Sequence, residues 1–156
     1  MKTIEELLGE HQFFQKLSRS DIDLLAGCGR NQIARAGEYL AHEGASAEAF
    51  YVIRTGTLAL EMQAPGYANL TVETLGPGQV VGWSWLFPPY RWVFDVRAVE
   101  DSRLVAMDGV CLRSKAEADP ALGYRLMKVC AEEMNARLRS TRFQVLDIYG
   151  AKKKAS

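Results

Sequence analysis

The chemically loaded residues of this chain are Gly82, Trp83, Ser84, Trp85, Arg91 and Trp92. All three tryptophans fall within ten residues, beside one arginine and the adjacent Pro88 and Pro89. An indole offers a large apolar face and one N–H that needs a partner when buried, and a guanidinium offers a forked set of donors to an anion. The segment follows a Gly76-Pro77-Gly78 turn and reads as a turn plus a short helix. Two roles fit this composition: the wall of a pocket for an aromatic or apolar ligand, anionic through Arg91, or a dense satellite core. In the pocket reading, Gly82 and the backbone around Ser84 place the anion.

Other chemistry is thinly represented. The two histidines, His11 and His42, fall on an expected helix and an expected turn, too few and too far apart in sequence for a metal cluster. Cys28, Cys111 and Cys130 form no C-x-x-C pair, and an odd count argues against a disulfide framework. No Ser-His-acid or Cys-His arrangement is legible, so no catalytic and no metal residue is assigned. The 19 basic and 19 acidic side chains cancel, which gives no support to a general nucleic-acid binder. Lys152-Lys153-Lys154 reads as a solvated tail. Met1-Lys2-Thr3-Ile4-Glu5-Glu6 carries two acids and is no signal peptide. No stretch approaches the roughly 20 apolar residues of a membrane span. A reduced, cytoplasmic protein is expected.

The elements that must position these residues show in the hydrophobic period. Ile4, Leu7, Leu8, Phe13, Phe14, Leu17, Ile22, Leu24 and Leu25 recur at helical spacing, with a break at Ser18 to Asp21. From residue 31 the period becomes that of strands, expected at 32–35, 38–41, 49–54, 57–62, 70–75, 93–98 and 102–107, with glycines between them. Many short strands at even spacing mean an antiparallel sandwich or barrel. Helical period returns at Asp119-Pro120, an N-cap and first-turn pair, and runs uninterrupted for about 28 residues, roughly 40 Å. One stripe of this helix, Leu122, Leu126, Val129 and Cys130, suits the β-domain. The other, with Tyr124, Met127, Ala131, Met134, Leu138, Thr141, Val145 and Ile148, is spaced as a coiled-coil seam and predicts a homodimer.

Helix, glycine-punctuated strands and one long helix, in this order, resemble the cyclic-nucleotide-binding domain of catabolite activator-like and oxygen-sensor-like regulators. His11 to Ser18 resembles that family's entry helix. Gly37-Glu38-Tyr39-Leu40, Glu43-Gly44 and Phe50 to Gly56 resemble its first turns and strands. Leu75 to Gly82 resembles the turn into its phosphate-binding cassette, and Val96-Arg97-Ala98 the strand leaving it. The resemblance implies a mainly β fold with flanking helices: a double-stranded β-helix (a jelly-roll-like β-roll), N-terminal helices and a long C-terminal dimerisation helix. The expected division is 1–30 helical, 31–118 β-roll and 119–150 long helix, with no DNA-binding domain, since eight residues follow Ile148.

The cassette departs from the family pattern. The resemblance implies a Glu for the ribose and an Arg for the phosphate, and those positions hold Trp83 and Trp92. Arg91 lies one residue early, which on a strand turns it to the opposite face. Thr141 stands where the family's dimer helix carries a hydroxyl toward the base. The expected function is a regulatory sensor or adaptor taking a small effector in a Trp-rich pocket lined by Gly82, Trp83, Ser84, Trp85, Arg91, Trp92 and Thr141. The alternatives are a ligand-free protein-interaction module with the pocket filled by Trp, and more distantly a cupin-like barrel enzyme. No cofactor is assigned; a nucleotide or other small effector is the candidate ligand. The expected partners are a second copy, through Tyr124, Met127, Met134, Leu138, Thr141, Val145 and Ile148, and an effector or protein partner, with neither direct DNA nor membrane contact.

Overall fold

The chain builds two four-stranded sheets flanked on one side by helices. In the computed structural model, residues 1–155 are described, with side chains through residue 153. Helix α1 (Ile4–Glu10) opens with a capping box in which Thr3 and Glu6 satisfy each other's backbone N–H. A single 3-10 turn (Gln12–Phe14) leads to α2 (Arg19–Ala26), capped by Ser18, whose hydroxyl accepts from the Asp21 N–H at 3.1 Å. Ser18 supplies the expected break.

The strands are β1 (Gly29–Ala34), β2 (Tyr39–Ala41), β3 (Ala49–Thr55), β4 (Leu58–Met62), β5 (Leu70–Leu75), β6 (Val80–Val81), β7 (Asp95–Ala98) and β8 (Ser102–Asp108). They pair antiparallel in the orders β1-β8-β3-β6 and β2-β7-β4-β5. The first sheet separates two cores. On β3, Phe50 and Val52 face the helices while Tyr51 and Ile53 face the second sheet, the period-2 consequence of the pleat. On β8, Val105 and Met107 alternate with Leu104 and Ala106 in the same sense. This alternation lets one sheet serve two apolar layers.

Two elements were not expected from the sequence. The two-residue strand β6 is too short to show a period. Helix α3 (Gly109–Ala118) begins at Asp108, whose carboxylate accepts from the Cys111 N–H at 2.9 Å; its weak amphipathic pattern hides it. The expectation of unbridged cysteines is corrected: Cys28 and Cys111 form a disulfide across 83 positions of sequence. The odd count is real, but it leaves Cys130 as the unpaired thiol. Neighbours in space, at the start of β1 and the first turn of α3, were distant in sequence.

Helix α4 (Pro120–Ala155) is longer than the expected span. Asp119 caps it, accepting from the Leu122 N–H at 3.2 Å. The stripe of Leu122, Leu126, Val129 and Cys130 is buried against the helix-side core. Two polar clamps fix the helix. Arg125 donates two bonds of 2.7 Å to Asp21, and holds that carboxyl below its usual range. Arg137 donates to Glu73 at 2.8 and 3.3 Å and to the Val80 carbonyl at 3.1 Å. Among the seam residues, Met127 and Met134 are half-buried against this chain's own core. Tyr124, Leu138, Val145 and Ile148 stand exposed. Among the described residues no helix is long and apolar enough to cross a membrane.

Candidate effector cleft

The cassette runs from the end of β6 to the start of β7 and wraps around the edge of the first sheet. It opens at Gly82, whose φ of 108° lies in the range glycine favours. A Cβ there would stand 2.7 Å from the Trp92 ring, so only glycine lets the indole come this close. Trp83 to Leu86 form a hydrogen-bonded turn, Leu86 N–H to Trp83 carbonyl at 3.0 Å, where a short helix was expected. After Phe87, two prolines at Pro88 and Pro89 end any helical continuation.

The three indoles go to different places. Trp85 is fully buried in the helix-side core, its N–H donating to the Gly82 carbonyl at 3.1 Å and its ring stacked on Phe50 at 5.5 Å. Trp83 is half-buried on that same side, 6.3 Å from the Phe13 ring. Trp92 enters the other core, between the sheets, stacked on Tyr51 at 6.2 Å with Phe94 tilted at 6.1 Å. Only 5% of Trp92 is exposed, so the interior of the roll at this point is indole rather than open cleft.

Backbone pairing explains the sorting. Residues 90–92 run against 44–47: the Ala47 N–H donates to the Tyr90 carbonyl at 2.7 Å, and the Trp92 N–H to the Ala45 carbonyl at 2.9 Å. Ser46 and Arg91 form the bridge between them. In such a pairing adjacent side chains alternate faces. Trp92 points in and Arg91 out, where its Nη1 donates to the Gly44 carbonyl at 2.9 Å. Ser84 is half-buried in the turn. Thr141 is exposed on α4, and its hydroxyl donates back to the Arg137 carbonyl at 2.9 Å. Gly82 and Trp92 are thus in contact, Trp83 and Trp85 share the opposite core, and Arg91 and Thr141 face elsewhere.

Several residues that hold this region carried no sequence signal. Arg113 of α3 donates to the Trp85 carbonyl and lies over the Tyr90 ring, 4.1 Å from its centre. Tyr90 itself sits at a φ of 55°. Glu73 and Arg137 form an ion pair whose arginine also reaches the start of β6 at the Val80 carbonyl. The guanidinium groups around the cassette are therefore engaged: Arg91 on Gly44, Arg113 on Trp85 and Tyr90, Arg137 on Glu73 and Val80. His11 is also engaged, Nε2 with the Ile53 carbonyl at 3.0 Å and Nδ1 accepting from the Phe13 N–H at 3.2 Å. Burial pushes its imidazole below the ordinary value, against a smaller upward pull from that carbonyl. Asp108, an N-cap directly before α3, is the one signal that would have located the helix bearing Arg113.

The model of the cyclic nucleotide-binding domain matches residues 32–119, more than half of the chain. The chain belongs to the cyclic nucleotide-binding domain family. Among solved structures, a Geobacter metallireducens GS-15 protein named for cyclic nucleotide binding aligns at a TM-score of 0.77 and 28% identity, over 88% of this chain and 99% of that one. The sensor domain of the transcriptional regulator DNR from Pseudomonas aeruginosa has the same fold, at a TM-score of 0.67 and 18% identity over 86% of this chain and 91% of its own. A CRP-like cAMP-activated global transcriptional regulator of Mycobacterium tuberculosis is 25% identical over 145 residues, 93% of this chain and 63% of that protein. The chain spans under two thirds of the length of the curated relatives it matches. The fold is that of a regulatory cyclic nucleotide-binding domain, and within it this member carries Trp92 at the position where an inward arginine was implied.

Proposed function

We propose that this chain is a regulatory module of the cyclic nucleotide-binding family whose nucleotide cleft is filled by its own Trp92. The carrying observation is the placement of that indole, stacked on Tyr51 inside the roll and held against Gly82. A cyclic phosphate needs charge-assisted donors. The inward position supplies an apolar ring instead, and Arg91 faces away onto Gly44. The effector-binding reading asked Trp83, Trp85, Arg91 and Trp92 to line one wall, and their division among two cores and an outer face favours the filled-cleft reading.

In this reading the module is non-enzymatic and cytoplasmic, and works through contacts rather than ligand chemistry. Residues 1–30 and 31–118 form one packed body, and 119–150 is the output helix. Its exposed stripe of Leu138, Val145 and Ile148 pairs with a second copy. Calorimetric titration of the full chain with cyclic AMP and cyclic GMP is the test. No saturable heat is expected at millimolar nucleotide. Saturable binding of either would overturn the filled cleft, and a response to another small metabolite alone would restore the effector reading.

A further inference from the structure

We infer that the Cys28–Cys111 bond is a thiol–disulfide exchange site whose state is read by the cassette. The bond ties the residue before β1 to the first turn of α3. A half-open cavity of about 330 Å³ lies directly against it, lined by both cysteines with Gly27, Gly29, Arg30 and Glu48. Of the two cysteines on its wall, Cys111 is the more exposed partner and Cys28 is buried. A small thiol therefore has a route to Cys111 Sγ. Disulfides in reducing compartments are characteristically transient and redox-sensing, so the inference leans on the cytoplasmic placement proposed above and otherwise goes beyond it.

The other cysteine supplies the contrast. Cys130 is buried on the docked face of α4, and burial, with Glu133 nearby, pushes its thiol up to about 12. It carries almost no thiolate at neutral pH and no reactivity to match. Exchange is confined to the Cys28–Cys111 pair.

Transmission to the cassette runs through α3. Arg113, two positions beyond Cys111, holds the Trp85 carbonyl and covers the Tyr90 ring. Gly109, two positions before it, packs so closely that a Cβ there would come 2.7 Å from Trp85 Cβ. The first turn of α3 is thus locked to β1 by sulfur on one side and to the cassette on the other. Reduction removes the sulfur lock, while the Asp108 N–H to Cys28 carbonyl bond of 2.8 Å keeps the strands in register.

The exchange consumes two equivalents of a small thiol. The first, as thiolate, attacks Cys111 Sγ; the Cys28–Cys111 bond breaks and Cys28 leaves as thiolate. The second attacks the small-thiol sulfur of that mixed disulfide, releasing Cys111 as thiolate and the small-molecule disulfide. The two protons of the incoming thiols end on Cys28 and Cys111, which are reduced as the small thiol is oxidised.

The full chain, without nucleotide, is equilibrated in buffers of varying reduced-to-oxidised glutathione, denatured, alkylated and weighed. The expected result is a reversible change from one adduct to three across the series, accompanied by a change in native tryptophan emission. Cys111→Ser should show the reduced emission without reductant and no further response. In Arg113→Gln the adduct count should still titrate while the redox-dependent emission change disappears. Three adducts in every buffer, or one adduct throughout in the folded protein, would overturn the exchange site. An Arg113→Gln emission response equal to wild type would overturn the transmission. Because no nucleotide is present, none of these outcomes depends on whether the cleft is filled.

Discussion

Trp85 and Trp92 belong to one cassette, yet they stack on adjacent residues of β3 from opposite sides of the sheet. Trp85 lies on Phe50 in the helix-side core, and Trp92 on Tyr51 between the sheets. The first closes a layer that every helix shares. The second occupies the core between the two sheets. In the proposed filled-cleft reading, the cassette is a strap over the sheet edge rather than a pocket wall. In that reading, a ligand entering between the sheets would have to displace Trp92 and would leave Trp85, in the other core, in place.

Trp85→Ala should cause the largest loss. It removes the bulkiest fully buried side chain, the ring stacked on Phe50 and packed against Gly109 at the start of α3. Urea denaturation should show a loss of about 5 kcal/mol, the upper part of the range for such truncations. A loss below about 1 kcal/mol would break the claim that this indole anchors the helix-side layer.

Trp92→Ala should lose less, about 3 kcal/mol, the lower part of the same range, since Trp92 keeps 5% exposure where Trp85 has none. It sharpens the comparison by opening the between-sheet side only. Free indole should then raise the melting temperature of the variant and leave wild type unchanged, since a ligand that binds only the folded state stabilises it. An equal response in wild type would mean that the interior is already open.

A smaller effect concerns His11, at the edge of the helix-side layer. Its folded value is lowered, so the unfolded chain takes up the proton first. The full stability is present above the unfolded value of about 6.5 and is lost as pH falls from there through the lower folded value. Unfolding free energies measured from pH 8 to 5 should decline in that window for wild type and stay flatter for His11→Gln. Parallel curves would contradict the burial assigned to this imidazole. The smallest effect on the protomer belongs to Leu138→Asp, outside both layers and 49% exposed. The fold should survive while the mass in light scattering halves, and an unchanged mass would count against the α4 seam.

Much of the fold was legible because it rests on period. Phe50 to Ile53 announce a strand buried on both faces, and Leu122, Leu126 and Val129 announce the docked face of α4. The family resemblance was likewise legible, since the glycines at Gly37, Gly44, Gly56 and Gly78 all adopt positive φ at the turns that carry it. The site was legible only in part. Arg91 was expected to line the pocket despite its one-residue offset, and its guanidinium lies instead on the Gly44 carbonyl. The shared wall of indoles did not follow from proximity in sequence, because strand alternation and the tight turn at Trp83–Leu86 send neighbours to opposite sides. Arg113, Glu73 and the Cys28–Cys111 pair depend on contacts between distant segments, which no local pattern encodes.

The most direct test of the filled cleft is emission from Trp92 alone, in a Trp83→Phe, Trp85→Phe variant titrated with acrylamide and cyclic AMP. A blue-shifted emission, shielded from acrylamide and unmoved by the nucleotide, is the predicted result. An emission that is quenched freely, or that shifts saturably as cyclic AMP displaces the ring, would contradict the account.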